Sequence, residues 1–351
     1  MTNTSETCDV IVVGGGITGL SAAFYALKER PGARVVVLEA SGRAGGKIAS
    51  AHIAGMTVDC GPDAFLARVD GAVDLAADLG LTADLVAPAT GKAWLWTRGK
   101  LRPFPDGLVL GAPTDPVAVA RSGVLSIRGL LRAAVSEIVP TRASSVEDPT
   151  VAVAIGRHVG REVIDKLVDP LLGGINASDC DRLSLASAAP NLVAAANSRY
   201  LMRTLRRSQA AASRGAIGSD AQASSRPVFL TPRKGISTLV SRLAERLGDS
   251  IVYDAATTSL QRSGDAGWTV TAGSRSWSAP HVILATPAAA SAAIVADESP
   301  TAAGLLRGIR TSSVALTLLA YPASAVRLPP GSGMRLGGPP LLPWQSRGCV
   351  P

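Results

Sequence analysis

Three glycines and one acid set out the first chemistry available to this chain. Gly14, Gly16 and Gly19 stand in G-x-G-x-x-G order, and Glu39 follows twenty residues beyond the last of them. The first glycine permits a tight turn, the second lets a pyrophosphate approach the backbone, and the third lets a helix pack closely on a strand. An acid at that distance can accept hydrogen bonds from ribose hydroxyls. The residues between supply the frame. Asp9-Val10-Ile11-Val12-Val13 is a short β-branched apolar run and predicts a buried strand. Leu20, Ala23, Phe24 and Leu27 recur at helical spacing, and Arg34-Val35-Val36-Val37-Leu38 predicts a second strand that ends on Glu39. Gly15, Ile17 and Thr18 complete the turn, where the first amides of the helix face the phosphates. A glycine-rich turn in an unrelated α/β protein is the alternative. Strand, turn, helix, strand and acid in register favour a dinucleotide site over it.

A second glycine pair follows the acid. Ala40-Ser41-Gly42-Arg43-Ala44-Gly45-Gly46-Lys47 places adjacent glycines between basic residues, the pattern of a second loop approached by phosphate. Further on, Gly61-Pro62, followed by Asp63-Ala64, forces an irregular backbone after a strand predicted around 56–58, and the segment's amides could face a ring system. A cofactor that reaches both loops lies extended, which points to FAD rather than NAD. No acid/base pair or nucleophile stands out, as expected where a cofactor does the redox step.

Composition narrows the rest. The 351 residues are enough for two or three domains, and 47% hydrophobic with 18% charged residues indicates a globular chain. The net charge of +8 could serve an anionic surface or an acidic substrate. Scattered arginines and 4% aromatics argue against a nucleic-acid platform. Cys8, Cys60, Cys180 and Cys349 have no C-x-x-C spacing and only three histidines accompany them, so four free thiols in a reducing cytoplasm and no metal site are expected. No signal peptide and no membrane-spanning run is predicted.

Along the chain, a helix is predicted over 71–79, and Trp94-Leu95-Trp96 with the turn Arg98-Gly99 reads as a hairpin. The middle reads as helical. Ser126 caps a helix bearing Leu130, Leu131, Ala134, Val135 and Ile138; Asp148-Pro149 starts another; a third runs over 162–172 and stops at Gly173-Gly174. These apolar faces could meet a membrane surface, but core packing is the favoured reading. Residues 208–225, rich in Ala, Ser and Gly, read as a flexible excursion. A helix after Gly235, a strand over 250–253, a meander through Ser259, Trp268 and Trp277, and a buried strand over 281–287 follow.

These segments resemble the FAD-dependent protoporphyrinogen/coproporphyrinogen oxidases, within the amine-oxidase-like flavoproteins. The resemblance lies in Leu38-Glu39-Ala40-Ser41 with Gly45-Gly46-Lys47-Ile48, in residues 61–68, in the stretch from Arg161 through Asp169-Pro170-Leu171-Leu172-Gly173-Gly174 to Ser184, and in Phe229-Leu230-Thr231 with Gly235. It runs from about Asp9 to Gly333, and the bacterial water-soluble members acting on coproporphyrinogen III look nearest. The resemblance implies FAD contacts at Gly14, Gly15, Gly16, Ile17, Thr18, Gly19, Glu39, Ala40, Lys47, Gly61, Pro62, Asp63 and Ala64. It also implies an adenine contact through the backbone at Thr257, where the family has valine, and a propionate contact at Arg68. The implied reaction moves hydride from a meso carbon to the flavin and electrons on to oxygen, three times over.

The implied fold is α/β (α+β overall). It has a discontinuous Rossmann-like FAD-binding domain at 1–90 and 226–290 and a mainly helical substrate or membrane-surface domain at 91–225. A partial, sheet-containing substrate domain follows at 291–351. The tail at 334–351 shows no strand alternation and does not resemble the family, so the chain is expected to lack the family's C-terminal part. The implied partners are a porphyrinogen, molecular oxygen, a peripheral membrane contact and a ferrochelatase that receives the product, in the cytoplasm or at the inner face of the membrane. Another flavoenzyme of the superfamily (a desaturase or amine oxidase) and an inactive remnant are the alternatives.

Overall fold

Alternation along two β-branched strands builds the first layer. The computed structural model describes residues 5–67, 69–88, 93–142, 146–215, 227–264, 267–322, 324–325 and 333–336. Strand β1 is Ser5–Thr7, β2 is Val10–Val13, helix α1 is Ile17–Glu29 and β3 is Val35–Leu38. The parallel sheet runs Ile251–Val252, β3, β2, His281–Leu284. Successive side chains of a strand point to opposite faces. Val12, Val35 and Val37 accordingly meet Leu20 and Ala23 of α1 and Leu239, Val240 and Leu243 of helix Ser237–Leu247. Ile11, Val13, Val36 and Leu38 meet Leu260, Val270 and Trp277 of a second sheet. That sheet has the order β1, Arg275–Ala279, Trp268–Ala272, Thr257–Arg262. A sheet covered on both faces explains strands that are apolar throughout rather than alternating. His281–Leu284 lies at the edge, with Ile283 37% exposed, so it is a half-exposed strand and not the buried one expected.

The chain divides into two compact units. One is drawn from Met1–Ala87, Pro227–Thr311 and Leu316–Ala320, the other from Pro88–Arg226, Ser312–Ala315 and Tyr321–Pro351. The segment expected to open a third domain at 291 belongs instead to the first unit, where Ile294, Val295 and Ala303 join the core around Trp277. Further strands of this unit include β4 (Ser50–Ile53) and β5 (Met56–Asp59), an antiparallel pair.

The second unit is helical, with Leu95, Ile155, Leu167, Leu172, Leu192 and Leu201 in one core. Several expectations are corrected here. Thr150, not Asp148, caps helix Val151–Val159, accepting from the Val153 amide at 3.3 Å, so Pro149 precedes the helix. Gly173 and Gly174 lie inside the helix that ends at Asn176, because Ala177 takes the left-handed turn (φ 48°) and its amide bonds back to the Gly173 carbonyl. Residues 208–215 continue helix Leu201–Gly215; alanine, read as a linker residue, is the best helix former. The remainder of the expected flexible stretch lies outside the described residues. Gly333–Leu336 pairs in parallel with Ala93–Trp96, a ladder that needs backbone groups and no alternating pattern. Helix Ile127–Val135 buries its small side through Gly129 and Ala133, leaving Ile127 78% and Leu131 62% exposed. Of the apolar residues expected to face the core, Leu130 packs against it, whereas Leu131, Val135 and Ile138 are exposed. Cys8 and Cys180 are buried free thiols that burial pushes up to about 11 and about 12, which fits inert core positions.

Two titrating groups make this unit acid-sensitive. His158 is fully buried, with its Nε2 3.0 Å from the Ala196 carbonyl oxygen and its Nδ1 without a partner among the described residues. Burial pushes its pKa below the usual imidazole value, aided by the Arg157 and Arg132 charges and opposed by the Ala196 carbonyl. For Glu162, burial alone would raise the pKa. Hydrogen bonds from Lys166 (2.6 Å), the Ser126 hydroxyl (2.5 Å) and the Ser126 amide (2.8 Å), with the Lys166 charge, outweigh it and bring the carboxyl down to about 2. Both groups bind protons more readily unfolded than folded, so both destabilise on acidification. The His158 contribution is lost as pH falls below about 6.5 and that of Glu162 below about 4.5. Urea midpoints should fall from pH 7 to pH 5, and His158→Gln should flatten that part of the curve. A midpoint that is flat in the parent protein over that range contradicts the assignment.

Candidate functional site

The parallel sheet ends in a cleft. From β2 the chain crosses to β3 on one side, while His281–Leu284 takes the other, and ligands bind at such a reversal beyond the carboxyl ends of the strands. A cleft of about 820 Å³ opens there, in the range of small-molecule and cofactor sites. The first loop contributes Gly14, Gly16, Ile17 and Thr18, and the end of β3 contributes Glu39 and Ala40. The second loop contributes Gly45, Gly46 and Lys47, and Pro62 stands beside them.

The glycines serve different purposes. At Gly19 an added Cβ would lie 1.9 Å from the Gly14 carbonyl oxygen, so α1 can seat only on glycine. At Gly14 (φ 107°) it would lie 2.7 Å from the Ala285 carbonyl oxygen. At Gly16 it would meet nothing within 4 Å and would point into open space at the start of α1. Gly16 is therefore open for a ligand rather than closed by packing. No side chain among the described residues caps α1, whose thirteen residues present their first amides and positive dipole end at the cleft.

Glu39 is nearly buried, and its carboxylate organises both loops. Its Oε2 accepts from the Gly15 amide at 2.7 Å, and its Oε1 accepts from the Ser41 amide at 2.8 Å and the Ser41 hydroxyl at 2.7 Å. The Gly15 carbonyl in turn accepts from the Gly45 amide at 2.8 Å. Arg43 does not flank the cleft as a phosphate-facing charge, as its position by the glycines suggested. Its guanidinium donates to the carbonyls of Gly46 (2.9 Å), Ile48 (3.2 Å) and Ala44 (3.4 Å), holding the second loop from within. Left-handed Gly45 and Gly46 turn those carbonyls toward it. Lys47 is the basic residue that lines the cleft.

Of the residues expected to touch cofactor, Gly14, Gly16, Ile17, Thr18, Glu39, Ala40, Lys47, Pro62 and Thr257 line this cleft. Gly15, Gly19, Gly61, Asp63 and Ala64 are not among its lining residues. Gly15 and Gly19 lie behind it, and Gly61 presses on the Lys47 carbonyl, which an added Cβ would approach to 2.4 Å. Arg68 lies outside the described residues. Sequence reasoning missed the opposite wall, made of Ala255, Ala256, Ala285, Thr286, Pro287, Ala288 and Ile294. Its one usable signal was the apolar strand at 281 ending in Thr286-Pro287.

These features suit a dinucleotide: an anion site at a helix start, an acid placed to meet a ribose, and apolar walls for a flat ring. The flavin containing amine oxidoreductase family matches residues 17–343. The chain belongs to that family. It is 34% identical over 332 residues to the coproporphyrinogen III oxidase of Bacillus subtilis (strain 168), covering 91% of this chain and 68% of the relative. It is 31% identical to the coproporphyrinogen III oxidase of Propionibacterium freudenreichii, covering 93% and 66%. A solved structure from Exiguobacterium sp. 255-15, classed provisionally with the protoporphyrinogen oxidases, superposes with a TM-score of 0.69 at 28% identity, over 85% of this chain and 62% of that one. The chain thus spans about two thirds of the length of these relatives. The porphyrinogen oxidase resemblance and the FAD cofactor read from the sequence agree with these findings. Putrescine oxidase with putrescine bound, at 20% identity and a TM-score of 0.55, shares the fold.

Proposed function

We propose that this chain carries the FAD-binding core of an oxygen-dependent porphyrinogen oxidase of haem synthesis, with coproporphyrinogen III as substrate. The observation that carries the reading is the two-loop cleft in a chain that aligns over nine tenths of its length with coproporphyrinogen III oxidases. Bound FAD supplies acceptance of hydride equivalents from a reduced carbon and their return to molecular oxygen. The protein's part is to bind and orient. The opening at Gly16 and the first amides of α1 would hold the diphosphate, with Lys47 beside it. Glu39 would accept from the ribose, and the backbone from Gly61 to Ala64 would border the flavin. Arg68 is the proposed cation for a substrate propionate.

A contact with an anionic membrane surface belongs to the same reading. Ile127, Leu131 and Ile138 are exposed and Arg128 stands among them, a pattern that suits the interface. No helix among the described residues is long and apolar enough to cross a membrane. We place the protein in the cytoplasm or at the inner membrane face, handing its product to a ferrochelatase.

Titration with FAD, followed by fluorescent porphyrin formation from coproporphyrinogen III in air, tests the proposal; putrescine serves as the comparison substrate. FAD binding with porphyrin formation is expected. Turnover of the amine without the porphyrinogen contradicts the substrate, and absence of FAD binding contradicts the site. Lys47→Met should raise the Kd for FAD about two- to fivefold at low salt, the size of one partly exposed charge pair, and should flatten its salt dependence. An unchanged salt dependence places Lys47 away from the phosphates.

A further inference from the structure

We infer that Asp59 is a positioning residue for the cofactor: it holds Pro62 on the cleft by tying the end of β5 to the start of helix Ser237–Leu247. The inference rests on the FAD reading of the cleft and deepens it, by naming the side chain that fixes the segment proposed to border the flavin.

The tie is made by both carboxylate oxygens. Asp59 is the last residue of β5 and stands three positions before Pro62, which lines the cleft. Its Oδ2 accepts from the Ile236 amide at 3.1 Å, and its Oδ1 accepts from the Ser50 hydroxyl at 2.8 Å. The Ser50 and Ser237 hydroxyls lie 2.7 Å apart, so each oxygen connects to the same helix start. The fit is close. At Gly235 (φ 95°) an added Cβ would lie 2.8 Å from Oδ1. The helix also has a use for this carboxylate. Its N-cap residue, Ile236, makes no side-chain cap, and its first turn carries no acid. The free amides and positive dipole end of a helix favour a negative group, and Asp59 supplies one from 177 positions away.

The helix in turn is fixed to the cofactor loops. At Gly45 of the second loop an added Cβ would lie 3.0 Å from Val240 Cγ1, and Leu239, Val240 and Leu243 share a core with Val35 and Val37. Between Asp59 and Pro62 the chain has two further ties. The Cys60 amide donates to the Ala49 carbonyl at 2.7 Å, and Gly61 presses on the Lys47 carbonyl. Those two join the segment to 47–49, the stretch that leads into β4 of the same hairpin. The Asp59 tie joins it to a helix of the core. A segment fixed before the ligand arrives spares the cost of ordering it on binding.

The test compares Asp59→Ala, Asp59→Asn and Ser50→Ala. Asparagine keeps the tie, because its carbonyl oxygen can accept from the Ile236 amide while its NH2 donates to the Ser50 oxygen. The unsubstituted chain and the variants are stripped of flavin and titrated with FAD and with ADP, which lacks the flavin. Asp59→Ala should weaken FAD about five- to thirtyfold, the cost of ordering one residue of backbone on binding, and leave ADP within about twofold. Asp59→Asn should bind both ligands within about twofold of the unsubstituted chain. Ser50→Ala, at an exposed position, removes one strand of the tie. It should weaken FAD about two- to tenfold, the worth of one hydrogen bond, again sparing ADP, and it carries the test if Asp59→Ala does not fold. A purely structural role would weaken both ligands alike, and that outcome overturns the inference. So do unchanged FAD affinities in Asp59→Ala and Ser50→Ala, and a loss in Asp59→Asn equal to that in Asp59→Ala. If the unsubstituted chain binds neither ligand, the reading of the cleft fails and takes the inference with it.

Discussion

Gly19→Ala should unfold the nucleotide-binding unit at markedly lower denaturant concentration and abolish retention of FAD. The added methyl would sit 1.9 Å from the Gly14 carbonyl oxygen and 3.1 Å from Val12 Cγ1, and the first of these is backbone that cannot swing aside. Relief requires α1 to back away from β2, loosening Leu20 and Ala23, both fully buried. Overpacking of this kind costs about 3 kcal/mol. Gly16→Ala is the contrasting variant. Gly16 has φ −70° and ψ 172°, which any residue adopts, and its methyl would enter open space. Stability should stay within about 0.5 kcal/mol, as for substitutions that meet no packed neighbour, while FAD affinity collapses because the methyl stands where the ligand approaches. Urea unfolding and FAD titration of the two variants separate packing from binding. Normal stability in Gly19→Ala, or normal affinity in Gly16→Ala, would sink this division of roles.

The glycine roles show what a sequence can and cannot disclose. The strand, turn, helix, strand and acid between Val10 and Glu39 are coded within forty positions, so spacing alone makes them legible. The opposite wall of the cleft is not legible, because Ala255, Ala256 and Ala288 carry no chemical signature. They arrive by sheet order, when Ile251–Val252 joins β3 and His281–Leu284 joins β2. Arg43 illustrates a different limit. Its charge and its place beside Gly45-Gly46 suggested phosphate, but the loop's own carbonyls turn inward and take its donors first. Only the folded loop distinguishes a cation that meets a ligand from one that braces the backbone. Helix Ile127–Val135 shows the same limit for apolar faces. Periodicity identified a stripe of Leu130, Leu131, Ala134, Val135 and Ile138, but of these only Leu130 packs against the core, and the buried side is the one whose small residues, Gly129 and Ala133, allow close approach. At Gly129 an added Cβ would lie 2.1 Å from Glu162 Oε2, a constraint imposed by a residue more than thirty positions away.

Glu39→Gln should be at least as damaging to stability as complete removal of the side chain, although it preserves shape. Every protein group facing the carboxylate is a donor: the Gly15 amide on Oε2, the Ser41 amide and hydroxyl on Oε1. A glutamine amide has one acceptor end and one donor end. Placed either way round, its NH2 confronts a backbone N–H, from Gly15 or from Ser41. The Ser41 hydroxyl can rotate to accept, but the two amides cannot. Gly15 is held in place by its own carbonyl, which accepts from the Gly45 amide at 2.8 Å. The unsatisfied contact costs about 1–3 kcal/mol of stability. The same substitution removes acceptor capacity from the ribose, so FAD affinity should fall by about tenfold or more, the worth of a charge-assisted hydrogen bond. Glu39→Ala leaves the same amides without a partner but sets no donor against them, and water from the cleft can reach them. Its stability should therefore be no lower than that of Glu39→Gln, the reverse of the order that side-chain volume predicts. Denaturant midpoints and FAD titration of the two variants decide the matter. Wild-type affinity in Glu39→Gln would show that the second acceptor oxygen is dispensable, and with it the ribose-binding role of this carboxylate.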